Sequence, residues 1–163
     1  MSFRFEPLAE DHRTAVVDIF NHFATGTFAA YFDQPLPYTF FDHVLEMTKG
    51  YPALAVRDET GKVVGFGALH RWHPAAPFDR TAEISYFLSP DATGQGVGAA
   101  LLARFEERAR AMGVDTILAS ISSRNEGSIR FHLRHGFRQV GRFENVGRKF
   151  GKDFDVVWME KNI

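Results

Sequence analysis

The order of hydrophobic and polar positions predicts an alternation of strands and helices along this 163-residue chain. Residues 2–8 alternate between apolar and polar side chains, which predicts a strand, whereas residues 9–23 place apolar side chains at helical spacing with charges on the opposite face. Residues 24–39 hold a glycine and two prolines without a clear period, which predicts an unusually aromatic loop. A second helix is expected near 39–49, where Gly50 would end it.

Four further strands are predicted, two before and two after the middle of the chain. Residues 52–58 and 62–72 form two apolar runs joined by a turn at Asp58–Gly61, which indicates an antiparallel hairpin. Residues 137–146 and 152–161 supply the two final strands. No internal repeat, low-complexity tract or linker interrupts this pattern.

The segment between these two strand pairs predicts a strand, a helix and a second strand. The first strand, within residues 81–90, is stopped by Pro90, the helix within residues 96–113 ends at Gly113, and residues 114–122 form the next strand. This order favours two parallel strands joined by a right-handed crossover. We therefore predict that the whole chain is one α/β domain with a mixed sheet.

A short helix is predicted directly after this unit. Asn125 is a plausible N-cap, Ile129 and Leu133 would share one face, and Gly136 would end the helix as its C′ glycine. The helix would complete a second strand-to-helix connection on the sheet.

Composition and charge exclude several classes of protein. Hydrophobic residues make up 45% and charged residues 24%, so a disordered, collagenous or coiled-coil chain is not expected, and the 17 phenylalanines indicate a Phe-packed core before an aromatic pocket. The net charge of -1, without a run of like charges, argues against nucleic-acid binding. No apolar run reaches the roughly 18–20 residues of a membrane span, and no signal-like segment opens the chain, so we expect a soluble, cytoplasmic protein. With no cysteine, disulfides, thiolate nucleophiles and sulfur-ligated zinc are excluded.

Three glycines lie between the first parallel strand and its helix. The backbone amides near Gly94, Gly96 and Gly98 can approach an anion, which the helix N-terminus also attracts. A P-loop would need a lysine before Ser or Thr, which is missing here. A dinucleotide fingerprint fits loosely as Gly94, Gly96 and Ala99, but it should lie early in a doubly wound fold with an acidic residue about 20 positions on, and the strand DTILASIS at 115–122 ends without one.

The order of elements, the sequence TGQGVG at 93–98 and the sequence NEGSIRFHLRHGF at 125–137 resemble a GNAT-superfamily N-acetyltransferase over essentially the whole chain. The resemblance implies a mixed sheet with splayed parallel strands, acetyl-CoA as cosubstrate, its pyrophosphate on the glycine loop and its pantetheine in the gap between the strands. The cofactor-binding positions it implies are Phe87, Leu88, Gln95, Gly96, Val97, Gly98, Ala99, Asn125 and Ser128. Thr93 departs from the usual Gln or Arg of the family, so the phosphate contacts would come from backbone amides.

A narrower resemblance adds a substrate class. Residues 81–90, the sequence at 125–137 with His132 where many relatives carry Tyr, and VGRKFGKDFDVVWME at 146–160 are similar to the phosphinothricin and methionine-sulfoximine acetyltransferase branch. This similarity implies direct acetyl transfer in a ternary complex to the amino group of a small amino-acid-like acceptor. It also implies a homodimer, since such relatives are commonly dimeric.

Acetyl transfer to an amine requires a group that receives the amine's proton. Glu83 lies on an otherwise apolar strand, where burial would raise the pKa of a carboxyl group. The alternation of Glu83, Ser85 and Phe87 is equally typical of a strand side that faces solvent. The branch places its proposed base at Glu83, and the resemblance therefore favours the catalytic interpretation.

His132 and Ser128 are four residues apart and would lie on one helix face. The resemblance implies that His132 lies near the thioester sulfur and donates a proton or a hydrogen bond to the departing thiolate. A single helical histidine is also compatible with a purely structural role. In the family, the residue matching Asn125 also bonds the pantetheine amides, in addition to capping the helix.

The acceptor pocket and a metal site are the remaining candidates. The pocket candidates are Phe28, Tyr31, Trp72, His73 and Lys149, of which the first two are equally compatible with the core. His73 stands where the branch tends to carry a basic residue after Trp, so recognition of an acidic substrate end would differ. Two histidine pairs have i,i+3 spacing, His70/His73 and His132/His135, but we expect no metal site, because no carboxylate partner or HExxH-type motif accompanies them.

Two other functions remain open. One is an enzyme of the same fold that acts on a protein or ribosomal N-terminus, which would need a wide groove, whereas the aromatic loop suggests a small closed pocket. The other is a non-catalytic CoA-binding module. The lack of cysteine and of a Ser-His-Asp pattern agrees with direct attack and no covalent enzyme intermediate.

Overall fold

A seven-stranded mixed β-sheet forms the centre of the computed structural model, which describes residues 2–163. The strands are β1 (Arg4–Pro7), β2 (Ala53–Arg57), β3 (Val63–Arg71), β4 (Thr81–Leu88), β5 (Thr116–Ser122), β6 (Arg138–Lys149) and β7 (Lys152–Asn162). The helices are α1 (Arg13–Gly26), α2 (Phe40–Met47), α3 (Val97–Ala111) and α4 (Glu126–Arg134). The sheet order is β1-β2-β3-β4-β5-β7-β6, which confirms the predicted α/β fold.

Helices cover both faces of this sheet. On one face, α1 and α2 bury Phe20 and Phe41 against Phe66 of β3. On the other face, α3 buries Phe105 against β-strand residues such as Ile117, and α4 packs beside it. The central strands β2 to β5 therefore alternate between two apolar layers, as expected for strands that are buried on both sides, whereas the edge strand β6 is mostly exposed. Within residues 2–163, no helix is both long and apolar enough to cross a membrane.

The predicted segments match the elements closely, with three differences. Helix α1 continues to Gly26, so the aromatic segment, defined here as residues 27–39, is shorter than the expected loop. Strand β6 continues to Lys149, beyond its expected end, because it forms a long hairpin with β7. In α4 the buried side chain is His132, at 3% exposure, whereas Leu133 is 53% exposed. Leu133 is thus one helical turn from Ile129, as predicted, but it is not part of the core, and His132 is the buried residue of this helix.

The parallel strands β4 and β5 pair over a short stretch only. Their register joins Thr81, Ala82 and Glu83 to residues 116–118, and no pairing joins the strands beyond that point within the described chain. Both strands nevertheless continue, β4 to Leu88 and β5 to Ser122, with β3 and β7 as their other partners. The strands consequently diverge and leave a gap in the middle of the sheet, as the resemblance implied.

Candidate active site

A cavity of about 700 Å³ crosses the sheet through the gap between β4 and β5. Its walls come from both strands, from the N-terminal turn of α3 and from α4. The predicted cofactor positions that line it are Phe87, Leu88, Gly96, Val97, Gly98, Ala99, Asn125 and Ser128. Gln95 does not line the cavity, because its side-chain amide folds back and donates to the carbonyl of Asp91. A side-chain role for Gln95 is therefore not supported.

The glycine loop presents backbone to one end of the cavity. Gly94 and Gly96 adopt positive φ angles of 71° and 80°, a left-handed conformation that favours glycine, and Gly96 is the N-cap of α3. The Thr93 hydroxyl donates to the carbonyl of Pro90 at 2.7 Å, so this side chain closes the turn. Anion contacts at this loop are thus left to backbone amides and the positive end of the helix.

Positive side chains near this end were missed by the sequence analysis. Arg130 and Arg134 of α4 line the same cavity, together with His135. Arginine is well suited to bind phosphate oxygens, because its guanidinium offers several donors in a fixed plane. Their i,i+4 spacing along α4 was a usable signal only once the helix was known to border the glycine loop.

A chain of hydrogen bonds joins β4 to α4 on the α3 side of the sheet. The His132 ring lies between Tyr86 and Ser128, with its Nε2 2.6 Å from the Tyr86 hydroxyl and its Nδ1 2.7 Å from the Ser128 carbonyl oxygen. Because a carbonyl only accepts, Nδ1 carries the proton and Nε2 accepts from Tyr86. Burial lowers the pKa of His132 and raises the pKa of Tyr86, so both side chains are neutral near pH 7.

Glu83 lies on the opposite side of the sheet, beside a residue that the sequence analysis did not connect with it. His70 of β3 is its direct cross-strand partner, and the two atoms His70 Nε2 and Glu83 Oε2 are 4.0 Å apart. Burial raises the pKa of the Glu83 carboxyl, and a charged His70 opposes this effect. The expectation that no carboxylate accompanies His70 was therefore wrong. The sequence alone did not show the partnership, since it depends on the register between β3 and β4.

The aromatic segment reaches the gap through Tyr31. The Tyr31 hydroxyl and Ser120 Oγ are 2.8 Å apart, and Ser120 lines the cavity from β5. The Tyr31 ring stacks on Phe154, and Phe28 packs edge-on against the same ring. Burial raises the pKa of Tyr31, and the negative charge of Glu83 adds to this shift. Both predicted residues of this segment thus belong to one aromatic cluster near Glu83.

Lys149 is 2% exposed and does not present its ammonium group as a free pocket contact. Its Nζ donates to the carbonyls of Ala30, at 2.7 Å, and Phe23, at 3.4 Å. These bonds fasten the aromatic segment to the end of β6. Lys149 was predicted to contact the acceptor substrate. In the structure its ammonium group bonds backbone carbonyls instead, which explains why a charged residue is buried at this position.

Trp72 and His73 lie beyond the end of β3, on the outer side of the site. Both rings pack against Phe78, with centroid distances of 5.4 Å and 4.5 Å, and both residues are exposed. Within residues 2–163, neither contacts Glu83 through a hydrogen bond or ion pair, so their predicted pocket role remains a prediction. Among all the described residues, 2–163, no group of three or more His, Asp or Glu side chains is placed to hold a metal ion.

The comparison with known proteins accounts for this arrangement. The model of the acetyltransferase (GNAT) family matches residues 15–137. An L-methionine sulfoximine/L-methionine sulfone acetyltransferase of Pseudomonas paraeruginosa is 39% identical over 115 residues, which cover 71% of this chain and 67% of that protein.

Two solved structures share the fold. A phosphinothricin acetyltransferase of Sinorhizobium meliloti, in complex with AcCoA, superposes with a TM-score of 0.93 at 25% identity, over 100% of this chain and 89% of that one. A ribosomal-protein-alanine N-acetyltransferase of Brucella melitensis gives a TM-score of 0.90 at 30% identity, over 98% and 99% of the two chains. With its split central sheet, its glycine loop and these matches, the chain belongs to the GNAT acetyltransferase family.

Proposed function

We propose that this enzyme transfers the acetyl group of acetyl-CoA to the amino group of a small amino-acid-like acceptor of the methionine sulfone, methionine sulfoximine or phosphinothricin type. The observation that carries the proposal is the cavity that crosses the sheet between β4 and β5. It offers an anion-binding end at the glycine loop and opens beside Ser85, two residues along β4 from Glu83. A thioester held in the gap would lie between Glu83 on one face and Tyr86 with His132 on the other.

Glu83 is the proposed general base. The acceptor enters as an ammonium ion, whose nitrogen has no free electron pair, and a proton must leave before attack. A carboxylate whose pKa is raised by burial is a better proton acceptor than an exposed one. The neutral amine then attacks the thioester carbonyl directly, and the C–S bond breaks without an enzyme-bound acetyl group.

His132 and Tyr86 are proposed to serve the leaving thiolate. The His132 ring is neutral and both of its nitrogens are engaged, so it holds the Tyr86 hydroxyl and is not itself the proton donor. Burial raises the pKa of Tyr86 above its ordinary value of 10.0, whereas a thiol such as cysteine ionises near pKa ~8.5. In the free enzyme the single hydroxyl proton of Tyr86 is donated to Nε2 of His132, so Tyr86 would stabilise the thiolate by turning this O–H towards the sulfur, without giving up its proton.

A protein or ribosomal N-terminus is the second candidate acceptor, and the structural similarity to the Brucella melitensis enzyme favours it. The aromatic segment argues for the smaller acceptor, because the Tyr31–Ser120 contact and the bonds of Lys149 hold this segment over the side of the gap that contains Glu83. A peptide would have to displace that contact to reach the carboxylate.

The decisive experiment is thiol release from acetyl-CoA, measured with a thiol reagent, against methionine sulfone, methionine sulfoximine, phosphinothricin, ordinary amino acids and a short peptide. The chain has no cysteine and contributes no background. Release with the first three acceptors, with the acetylated product found by mass spectrometry, supports the proposal. Release with the peptide alone favours the second candidate. Thermal stabilisation by acetyl-CoA without any release would leave a binding module.

The cellular setting of the enzyme is also part of the proposal. We expect a cytoplasmic homodimer that binds neither nucleic acid nor membranes and uses no metal. Large apolar side chains on β6, such as Phe143 and Val146, are more than half exposed, which supports a protein contact on that strand. Gel filtration at the monomer mass of 18.4 kDa would contradict the dimer.

A further inference from the structure

The pair His70 and Glu83 has an unusual property for a histidine beside a carboxylate. Nδ1 of His70 lies 3.0 Å from the carbonyl oxygen of Arg71, which can only accept a hydrogen bond. In the neutral ring the proton therefore resides on Nδ1, and Nε2 carries a free electron pair. That electron pair lies on the side of Glu83, and within residues 2–163 Nε2 has no hydrogen-bond partner.

Two hydrogen-bond acceptors, His70 Nε2 and a Glu83 carboxylate oxygen, thus lie close together on the side of the gap that is proposed to receive the amine substrate. A distance of 4.0 Å between Nε2 and Oε2 is too long for a direct hydrogen bond. An amine nitrogen about 2.9 Å from both atoms would bond them at an angle of about 90°, near the tetrahedral geometry of its N–H bonds. The two side chains are 16% and 20% exposed, so they are reachable without being fully solvated.

The proton balance of the reaction calls for two groups that accept a proton. An ammonium ion has three N–H bonds and the amide product has one, so two protons leave the nitrogen during transfer. The first must leave before attack, and the second leaves once the C–N bond has formed and the nitrogen is positively charged again. Both protons pass to water when the two bases are restored, and the departing thiolate takes up one proton from water, so that one proton is released overall. A single carboxylate holds one proton at a time.

We propose that His70 is a further catalytic residue, which binds the acceptor's amino group together with Glu83 and takes the second proton at Nε2. The inference rests on the proposed function. Glu83 takes the first proton and becomes a neutral acid, while the amine stays bonded to Nε2 of His70. After attack, the proton on the new C–N nitrogen passes to Nε2 and the amide is formed.

The other group that faces this pair is Tyr31. Its hydroxyl is held by Ser120, and burial, with a further contribution from the charge of Glu83, raises its pKa, so it stays protonated and does not compete for the amine's protons. The opposite strand position, Leu118 of β5, is apolar. Among these described neighbours, His70 and Glu83 are the groups placed to accept the protons of the amine.

The test uses three variants of the full chain with whichever amine the wild type acetylates. His70→Phe removes both acceptor and base, His70→Gln keeps an acceptor oxygen but takes no proton, and His43→Phe makes the same change at an exposed histidine of α2. We expect His70→Phe to lower kcat/KM for the amine about 10- to 100-fold without changing acetyl-CoA affinity. His70→Gln should recover the amine KM but not kcat, and His43→Phe should match the wild type.

Two kinetic results would each overturn the inference. One is a His70→Phe enzyme within twofold of the wild type in kcat/KM, and the other is a His70→Gln enzyme that recovers kcat as well as KM. A second readout does not depend on turnover: ¹⁵N NMR of labelled histidine, assigned with His70→Gln, should show the proton on Nδ1 of neutral His70. A proton on Nε2 would remove the acceptor. If the wild type acetylates peptides alone, the proposed substrate fails while the same variants still test His70.

Discussion

His132 and His70 lie on opposite sides of the same gap, and their surroundings differ in one decisive respect. His132 is almost fully buried, and both of its ring nitrogens are hydrogen-bonded, to Tyr86 and to Ser128. His70 uses one nitrogen in the same way, on a backbone carbonyl, but its second nitrogen lies near Glu83 without a bond.

The difference separates positioning from proton exchange. A ring with two engaged nitrogens fixes the direction of its neighbours, but it has no site at which to take up a proton. A ring with one free electron pair beside a carboxylate can accept a proton from a third molecule. The two faces of the sheet are therefore expected to respond differently to substitution.

Removing Glu83, the proposed base on the side of the sheet that holds His70, should have the largest effect on turnover. Glu83→Gln should lower kcat by on the order of 100-fold or more and leave acetyl-CoA affinity unchanged, because the carboxylate serves the amine alone. Thiol release and thermal shift with acetyl-CoA measure these two quantities. A loss of activity below threefold would remove Glu83 as the base.

The same variant should also change the dependence of stability on pH. The folded-state pKa of Glu83 is raised above 4.5, so the folded state binds the extra proton and stability is lost as pH rises from about 4.5 through the raised value. Near neutral pH, Glu83→Gln should therefore unfold at a higher temperature than the wild type. A lower melting temperature at neutral pH would contradict a desolvated carboxylate.

A substitution on the side of the sheet that holds His132, whose ring nitrogens are both hydrogen-bonded, should have an intermediate effect on turnover and a clear effect on stability. Tyr86→Phe leaves Nε2 of His132 buried without a donor, which should cost about 1–3 kcal/mol of unfolding free energy. Loss of the hydrogen bond to the thiolate should lower kcat about tenfold. Urea unfolding and thiol release measure the two effects, and an unchanged kcat would exclude Tyr86 from the reaction.

His132→Gln provides the pH-dependent counterpart of this test. The folded-state pKa of His132 is lowered below 6.5, so the unfolded chain binds a proton that the folded chain does not, and stability falls as pH drops below about 6.5. The variant should lose this part of the slope. A slope identical to that of the wild type would mean that His132 is not the desolvated group.

The smallest effect is expected where the aromatic segment meets the gap. Tyr31→Phe and Ser120→Ala each remove one neutral hydrogen bond, which corresponds to about 1 kcal/mol and a rise in the amine KM of about fivefold. The double variant should be no worse than either single one, because the two residues act through the same bond. Additive effects in this cycle would show that the residues contact the acceptor separately.

Local patterns predicted most of the fold and the cofactor side of the site. Asn125 accepts from the Ser128 amide as an N-cap, and Gly136 ends α4 at a positive φ, because both features depend on neighbouring residues alone. The partnership of His70 with Glu83 depends on the register between β3 and β4, whose connection of nine residues fixes no turn type. The burial of Lys149 was equally invisible, since its two carbonyl partners are more than 100 positions away.

Lys149 is itself a primary amine in an enzyme that acetylates amines. Its Nζ bonds the carbonyl of Phe23, a residue that lines the cavity, and burial lowers its pKa, which favours the nucleophilic neutral form. An unrestrained lysine at this place would be an internal competitor for the acetyl group. The two carbonyls that accept its N–H bonds hold this nitrogen in place, so the contact that fastens the aromatic segment also restrains the one buried primary amine described beside the cavity lining.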